Sequence, residues 1–293
     1  MGAGSTLAAL LDGWRPPDRT DHDRIDAAPV AALSSVLGYD APVAGVGDVL
    51  PPLWHWLYFL NWPQPELLGE DGHPRAGAYL PPIPNRRRMI AGGRLTAREP
   101  LRIGLDTVRT STLSDVQVKN GRSGEMAFVT VRYELQQAGR TCVIEEHDVV
   151  YRSGEGDTDG PAASPAPVDT NAEPTVEAPW QHTYRPDPIM LFRFSALTHN
   201  SHRIHYDEPY CRTVESYPGL VVHGPLLVLL MLEVDRASAQ GDVAELEYRL
   251  RRPVFAREHI VAAGAPAQDS DATDLWVATA RHNATASAQV RRG

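Results

Sequence analysis

Residues 224–232 read Gly-Pro-Leu-Leu-Val-Leu-Leu-Met-Leu. Glycine followed by proline marks a helix start, because the first-turn N–H that proline lacks has no partner within a helix. The run from Leu226 to Leu232 is apolar on every side, so the spacing predicts a helix enclosed all round. A chain with such an element must wrap it, and extended segments elsewhere supply the wrapping. The same start leaves backbone N–H groups aimed at whatever precedes the helix, and such groups can stabilise an oxyanion.

What precedes it is polar. His199 to Glu208 holds His199, His202, His205, Asn200 and Asp207, approached through the apolar Phe194–Thr198. Imidazoles transfer protons near neutral pH, so this knot and the helix start together describe a candidate acid–base site. His223, directly before the glycine, is expected to orient the helix start, and Asp207 and Tyr210 to tie the loop down.

The remaining chain supplies strands. Ser111–Lys119, Met126–Gln136 and Thr141–Tyr151 alternate β-branched or apolar with polar residues, and Asn120-Gly121 and Ala138-Gly139 are the expected turns. After the Pro225 helix, strands are expected over Ala244–Val254, His259–Gly264 and Asp274–Val290, the last with an interruption. Arg19–Leu37 has roughly helical apolar spacing. Asp48–Trp62, with Trp54, Trp56, Tyr58 and Phe59 behind two prolines, predicts a second buried helix, in which His55 is expected to be a satisfied core residue. Leu80–Leu95 reads as a loop with three consecutive arginines, Arg86, Arg87 and Arg88, entering an edge strand. Ser153–Pro179 holds five prolines and six acidic residues without a basic or aromatic one. Such a segment buries too little apolar area to offset its ordering entropy. It is expected to be a flexible linker between an N-terminal domain (residues 1–152) and a C-terminal one (residues 180–293).

The charge balance narrows the function. A net charge of −9 argues against nonspecific nucleic-acid binding, which needs basic surface. Cys142 and Cys211 show no metal-ligand or CxxC spacing. No apolar run reaches the ~20 residues of a membrane span, and no secretory leader is visible, so a soluble cytoplasmic protein is expected.

The ordered stretch HRIHYD…YPGLVVHGPL, residues 202–226, resembles the hydration motif of MaoC-like (R)-specific enoyl-CoA hydratases. It is closer to their two-domain subgroup of mesaconyl-CoA and itaconyl-CoA hydratases and 3-hydroxyacyl-thioester dehydratases. The resemblance implies an α+β double hot-dog fold, in which two antiparallel sheets each wrap a central helix, with the catalytic residues in the C-terminal half and an N-terminal half that shapes the acyl pocket. It implies His205 as the catalytic histidine and Gly224 as the glycine whose N–H binds the thioester oxygen. Asn200 stands where the wider family carries its catalytic Asp, and His202 where it carries Asn. Asn cannot act as a base, so Asn200 is expected to position water or the hydroxyl, and His202 to share the proton work. The subgroup carries the same departure.

A PP…RRM…GGR stretch recurs in the family, and arginine suits phosphate. Arg86 and Arg88, with Arg249 and Arg252 from YRLRRPVF (248–255), are therefore candidates to meet coenzyme A. On an alternating strand Arg249 and Arg252 point to opposite faces. No cofactor and no metal are implied, coenzyme A or phosphopantetheine being part of the substrate. The expected reaction is reversible hydration of a 2-enoyl thioester, carried by coenzyme A or acyl carrier protein, with a short or dicarboxylic acyl chain. Two rivals stay open: a hot-dog acyl-CoA thioesterase, and a noncatalytic acyl-thioester-binding subunit. Dimerisation through sheet edges is compatible with the sequence and not decided by it.

Overall fold

The structure is a computed structural model describing residues 6–121, 124–152, 166–238, 241–268 and 271–293. Ten strands form one antiparallel sheet: β1 (Arg19–Arg24), β2 (Arg87–Ala97), β3 (Asp106–Gly121), β4 (Gly124–Gln137), β5 (Arg140–Arg152), β6 (Trp180–Tyr184), β7 (Val243–Leu250), β8 (Ile260–Pro266), β9 (Ala272–Thr279) and β10 (His282–Arg292). Their order is β1-β3-β4-β5-β2-β7-β10-β9-β8-β6. Each half runs first, third, fourth, fifth, second, so the chain carries one five-stranded topology twice, joined at its second strands. The pattern is the duplicated hot-dog expected from the order of elements.

The seam is β2 against β7, from Gly92↔Arg249 to Thr96↔Glu245. β2 is therefore an interior strand, not the edge strand read from the sequence. Two glycines permit the close approach. A Cβ on Gly93 would sit 2.5 Å from the Tyr248 hydroxyl, and one on Gly92 2.3 Å from the Tyr248 carbonyl oxygen. The strand at 274–290 is interrupted as expected, by a turn between β9 and β10. Ala138 and Gly139 form the β4–β5 turn with φ of 49° and 74°. Asn120 and Gly121, read as a turn, remain in β3, paired with Glu125 and Gly124.

Among the described residues five α-helices accompany the sheet: α1 (Leu7–Leu11), α2 (Ala27–Val36), α3 (Pro188–Thr198), α4 (Glu208–Thr213) and α5 (Gly224–Ser238). α5 is the expected enclosed helix. Every residue from Leu226 to Val234 is buried, and burying a Leu contributes about 1.5–3 kcal/mol. Its two buried acids are both paired, Glu233 with Tyr39 and Arg236, and Asp235 with Arg292 at 2.5 Å. Among the described residues the N-terminal half has no helix of this kind. Residues 54–57 make a single 3₁₀ turn, entered through Leu53 at φ 65° and left before Phe59 at φ 56°. These left-handed residues stop a helix from propagating through 48–62. Arg19–Leu37 is likewise split into β1 and α2. The main core runs across both halves, from Ile25, Leu53 and Trp54 to Phe194 and Leu226–Leu232. Of the expected linker, 166–179 carries no helix or strand, and 153–165 lies outside the described residues. No described helix is long and apolar enough to cross a membrane.

Candidate active site

α3 delivers the chain to the site. Asp187 caps its start, accepting from the Met190 N–H at 2.8 Å, and His199 ends it at φ 47°. That left-handed turn throws the next residues back across the N-terminal half. His199 stacks on Trp62, centroids 3.5 Å apart, and its Nδ1 donates to the Asn61 carbonyl at 2.5 Å. Asn200 Oδ1 then accepts from the His202 N–H at 3.0 Å, and a 3₁₀ turn over Arg203–His205 follows. Asp207 ties this turn down as expected. It caps α4 by accepting from the Tyr210 N–H at 3.0 Å and pairs with Arg203 at 2.7 Å.

His205 is buried, and its Nδ1 donates to the Val221 carbonyl at 2.8 Å. This bond fixes the tautomer and leaves Nε2 as the basic nitrogen. Burial pushes its pKa down to about 4, against the Val221 carbonyl, which favours the charged form. Its ring lies flat on that of His223, with centroids 3.6 Å apart and planes 16° apart. His223 bonds Ser195 Oγ at 2.8 Å, and burial holds its pKa well below the ordinary value. Its buried Nδ1 has no hydrogen-bond partner among the described residues. His202 stands 5.7 Å from His205, and burial, then the neighbouring His73, pushes its pKa down to about 2. The structure thus brings His202, His205 and His223 together as neutral imidazoles.

A cavity of about 350 Å³ opens beside this group. Its wall includes Asn200, His223 and Pro225, so the start of α5 faces it. Gly224 packs tightly behind, where a Cβ would meet Leu250 Cδ1 at 2.5 Å. The N-terminal half supplies the opposite wall, with His55, Trp56, Tyr133 and His147 among its residues. Beneath them Glu145 is fully enclosed. It accepts from His55 Nε2 at 2.6 Å, His147 Nε2 at 2.7 Å and Trp56 Nε1 at 2.9 Å. Burial opposes its ionisation, but the two histidines hold its pKa below the usual carboxylate range. His55 is thus the satisfied core residue expected, and it also reaches the cavity.

The arginine candidates divide. Arg88 lines the cavity. Protein surrounds it, yet the cavity keeps it accessible, and its near partner is Tyr151. Arg86 instead bonds the carbonyls of Pro74 and Arg75 at 3.3 and 2.6 Å, holding a loop. Arg249 lies on the exposed sheet face, paired with Asp148 at 3.0 Å and Glu247 at 2.8 Å. Arg252 is exposed beyond the end of β7.

The sequence reading missed the loop of residues 69–74, which docks on the His202 turn. Asp71 and His73 form a pair there, and the His73 ring sits 3.9 Å from that of His202. Asp71, His73 and His202 are the one described group whose candidate metal-ligand atoms all lie within 4.8 Å of one another. Both Asp71 oxygens already accept from His73, so the trio fits a metal ion poorly. The Asp-Gly turn before a histidine was the available signal.

Neutral imidazoles beside the N-terminus of a buried helix, on a hot-dog scaffold, can move protons and stabilise an oxyanion in one site. The chain matches hydroxyacyl-thioester dehydratase type 2 over residues 53–256, and it belongs to that family. It is 43% identical over 233 residues to mesaconyl-C(4)-CoA hydratase of Chloroflexus aurantiacus, covering 80% of this chain and 81% of that one. It is 25% identical to the mitochondrial hydroxyacyl-thioester dehydratase type 2 of Schizosaccharomyces pombe, over 87% and 91% of the two chains. The fold is shared with the MaoC-like dehydratase of Phytophthora capsici, at TM-score 0.65 and 13% identity over 99% of both chains. The protein is a hydro-lyase interconverting 2-enoyl and 3-hydroxyacyl thioesters.

Proposed function

We propose that the substrate is a short 2-enoyl-CoA carrying a second carboxylate, of the mesaconyl type, hydrated in the cavity between the two halves. His205 Nε2 takes the proton from water as its oxygen adds to C3. The charge that develops on the thioester oxygen meets the Gly224 N–H at the start of α5, a class of donor worth about 3–4 kcal/mol where one has been removed. Asn200 holds the water or the new hydroxyl. The observation that carries this reading is the meeting of His223, Pro225 and Asn200 at one cavity wall, with His205 stacked directly behind.

Arg88 supports the dicarboxylic substrate. It lines the cavity and makes no ion pair among the described residues, whereas Arg109, also at the wall, is committed to Asp21 at 2.9 Å. A guanidinium bonded to Tyr151 but to no carboxylate, beside an acyl pocket, suits a bidentate carboxylate. The test is mass spectrometry of the protein with crotonyl-, mesaconyl- and itaconyl-CoA. A gain of one water is expected, fastest on a dicarboxylic substrate. Arg88→Gln should cost that substrate about 10-fold or more in kcat/KM while changing crotonyl-CoA little. Equal losses on both would contradict the role of Arg88, and release of free thiol without hydration would favour a thioesterase.

A further inference from the structure

Water addition involves two proton transfers, one from water and one to the carbon beside the carbonyl, and two groups can divide them. His205 supplies one. Asn200 has an amide, which neither gains nor loses a proton near neutral pH. The Asp71–His73 pair stands at the cavity without a role in that scheme. Asp71 Oδ2 accepts from His73 Nδ1 at 2.9 Å, and Oδ1 accepts from the His73 N–H at 2.9 Å. The first bond fixes the tautomer and leaves Nε2 as the working nitrogen.

The loop is held in place from the other half of the chain. Ser201 Oγ donates to the Gly72 carbonyl at 2.6 Å, the Arg203 N–H to the Asp71 carbonyl at 2.9 Å, and Arg203 Nη1 to the Glu70 carbonyl at 3.1 Å. His73 therefore lines the same cavity as Asn200 and His223, its ring against His202.

We propose that His73, oriented by Asp71, is the second acid–base group of this site. The inference rests on the hydro-lyase reading of the cavity. In hydration, His205 Nε2 accepts a proton from water and the hydroxide oxygen bonds to C3. The 2,3 π pair moves through C2 onto the thioester oxygen. As that pair returns, C2 takes a proton from Nε2 of the His73 imidazolium. His205 ends protonated and His73 neutral, and exchange with solvent resets both. Dehydration runs these transfers in reverse. Burial, with Arg88 and Arg86 nearby, holds the pKa of His73 below its ordinary value; the Asp71 carboxylate works against this and favours the charged form, whereas His205 has only the Val221 carbonyl.

The test compares His73→Gln, Asp71→Asn and His73→Gly with His205→Ala in the full-length protein. His73→Gln should lose about 10²–10⁴-fold in kcat with KM little changed. Added imidazole should restore His73→Gly in proportion to its concentration. Asp71→Asn should lose less and move the His73 limb of the pH profile to lower pH, because the carboxylate no longer favours the imidazolium. Three results would overturn the proposal. They are a His73→Gln rate within about 5-fold of wild type, a loss that imidazole does not repair and that KM follows, and a wild-type rate removed by chelator and restored by a divalent cation. A His205→Ala variant as fast as wild type would instead bring down the reading on which this one rests.

Discussion

At the scale of single residues, the site is built from imidazoles kept neutral by burial. This has a consequence for stability. The pKa of His205 falls from 6.5 to about 4 on folding, so below pH 6.5 the unfolded chain binds a proton that the folded chain refuses. The stability this group contributes is complete above pH 6.5 and declines as pH falls towards 4. At about 1.4 kcal/mol per pKa unit, the loss approaches 3 kcal/mol for His205 alone. Urea midpoints measured across that window should fall, and His205→Gln should flatten the curve; an unchanged slope in the variant would contradict the assignment. His202, His205, His223 and Asn200 were legible from the sequence because they cluster within one short motif before a helix start. Asp71, His73, Glu145 and His147 were not, since what brings each pair to the cavity lies far away in the chain, His202 for His73 and His55 for Glu145.

At the scale of elements, the loop of residues 69–74 and the His202 turn form one docked unit. Gly72 makes the contact possible. Its φ is +84°, and a Cβ would lie 1.9 Å from the Ser201 carbonyl oxygen, a backbone atom that cannot swing aside. Gly72→Ala should cost about 3 kcal/mol and separate the two loops. Thermal unfolding and turnover would both register it, whereas wild-type values for both would show that the loops are not coupled. The start and the enclosed run of α5 were legible, because Gly-Pro and an uninterrupted apolar run leave little choice, whereas its last turns to Ser238 were not. The aromatic run at 48–62 carried the same proline signal and forms only one 3₁₀ turn. There the aromatic rings are spent on cross-chain contacts, Trp56 Nε1 on Glu145 and the Tyr58 hydroxyl on the Asp26 carbonyl.

At the scale of the whole molecule, two copies of one topology meet strand to strand, and the cavity lies between them. The strand alternation in the sequence specified the meanders, and the repeated order of elements specified the duplication. Nothing in the sequence specified that β2 and β7 would be partners, because pairing across some 150 residues leaves no local trace. That pairing sets the N-terminal half against the C-terminal one, and the N-terminal half furnishes most of the cavity wall, His73 included. The most direct measurement is the rate at which the purified protein adds water to its enoyl-CoA, compared with His205→Ala under conditions where both bind the thioester. The account predicts a fall of about 10²–10⁴-fold in kcat with binding preserved. A variant that binds the thioester and turns it over at the wild-type rate would contradict it.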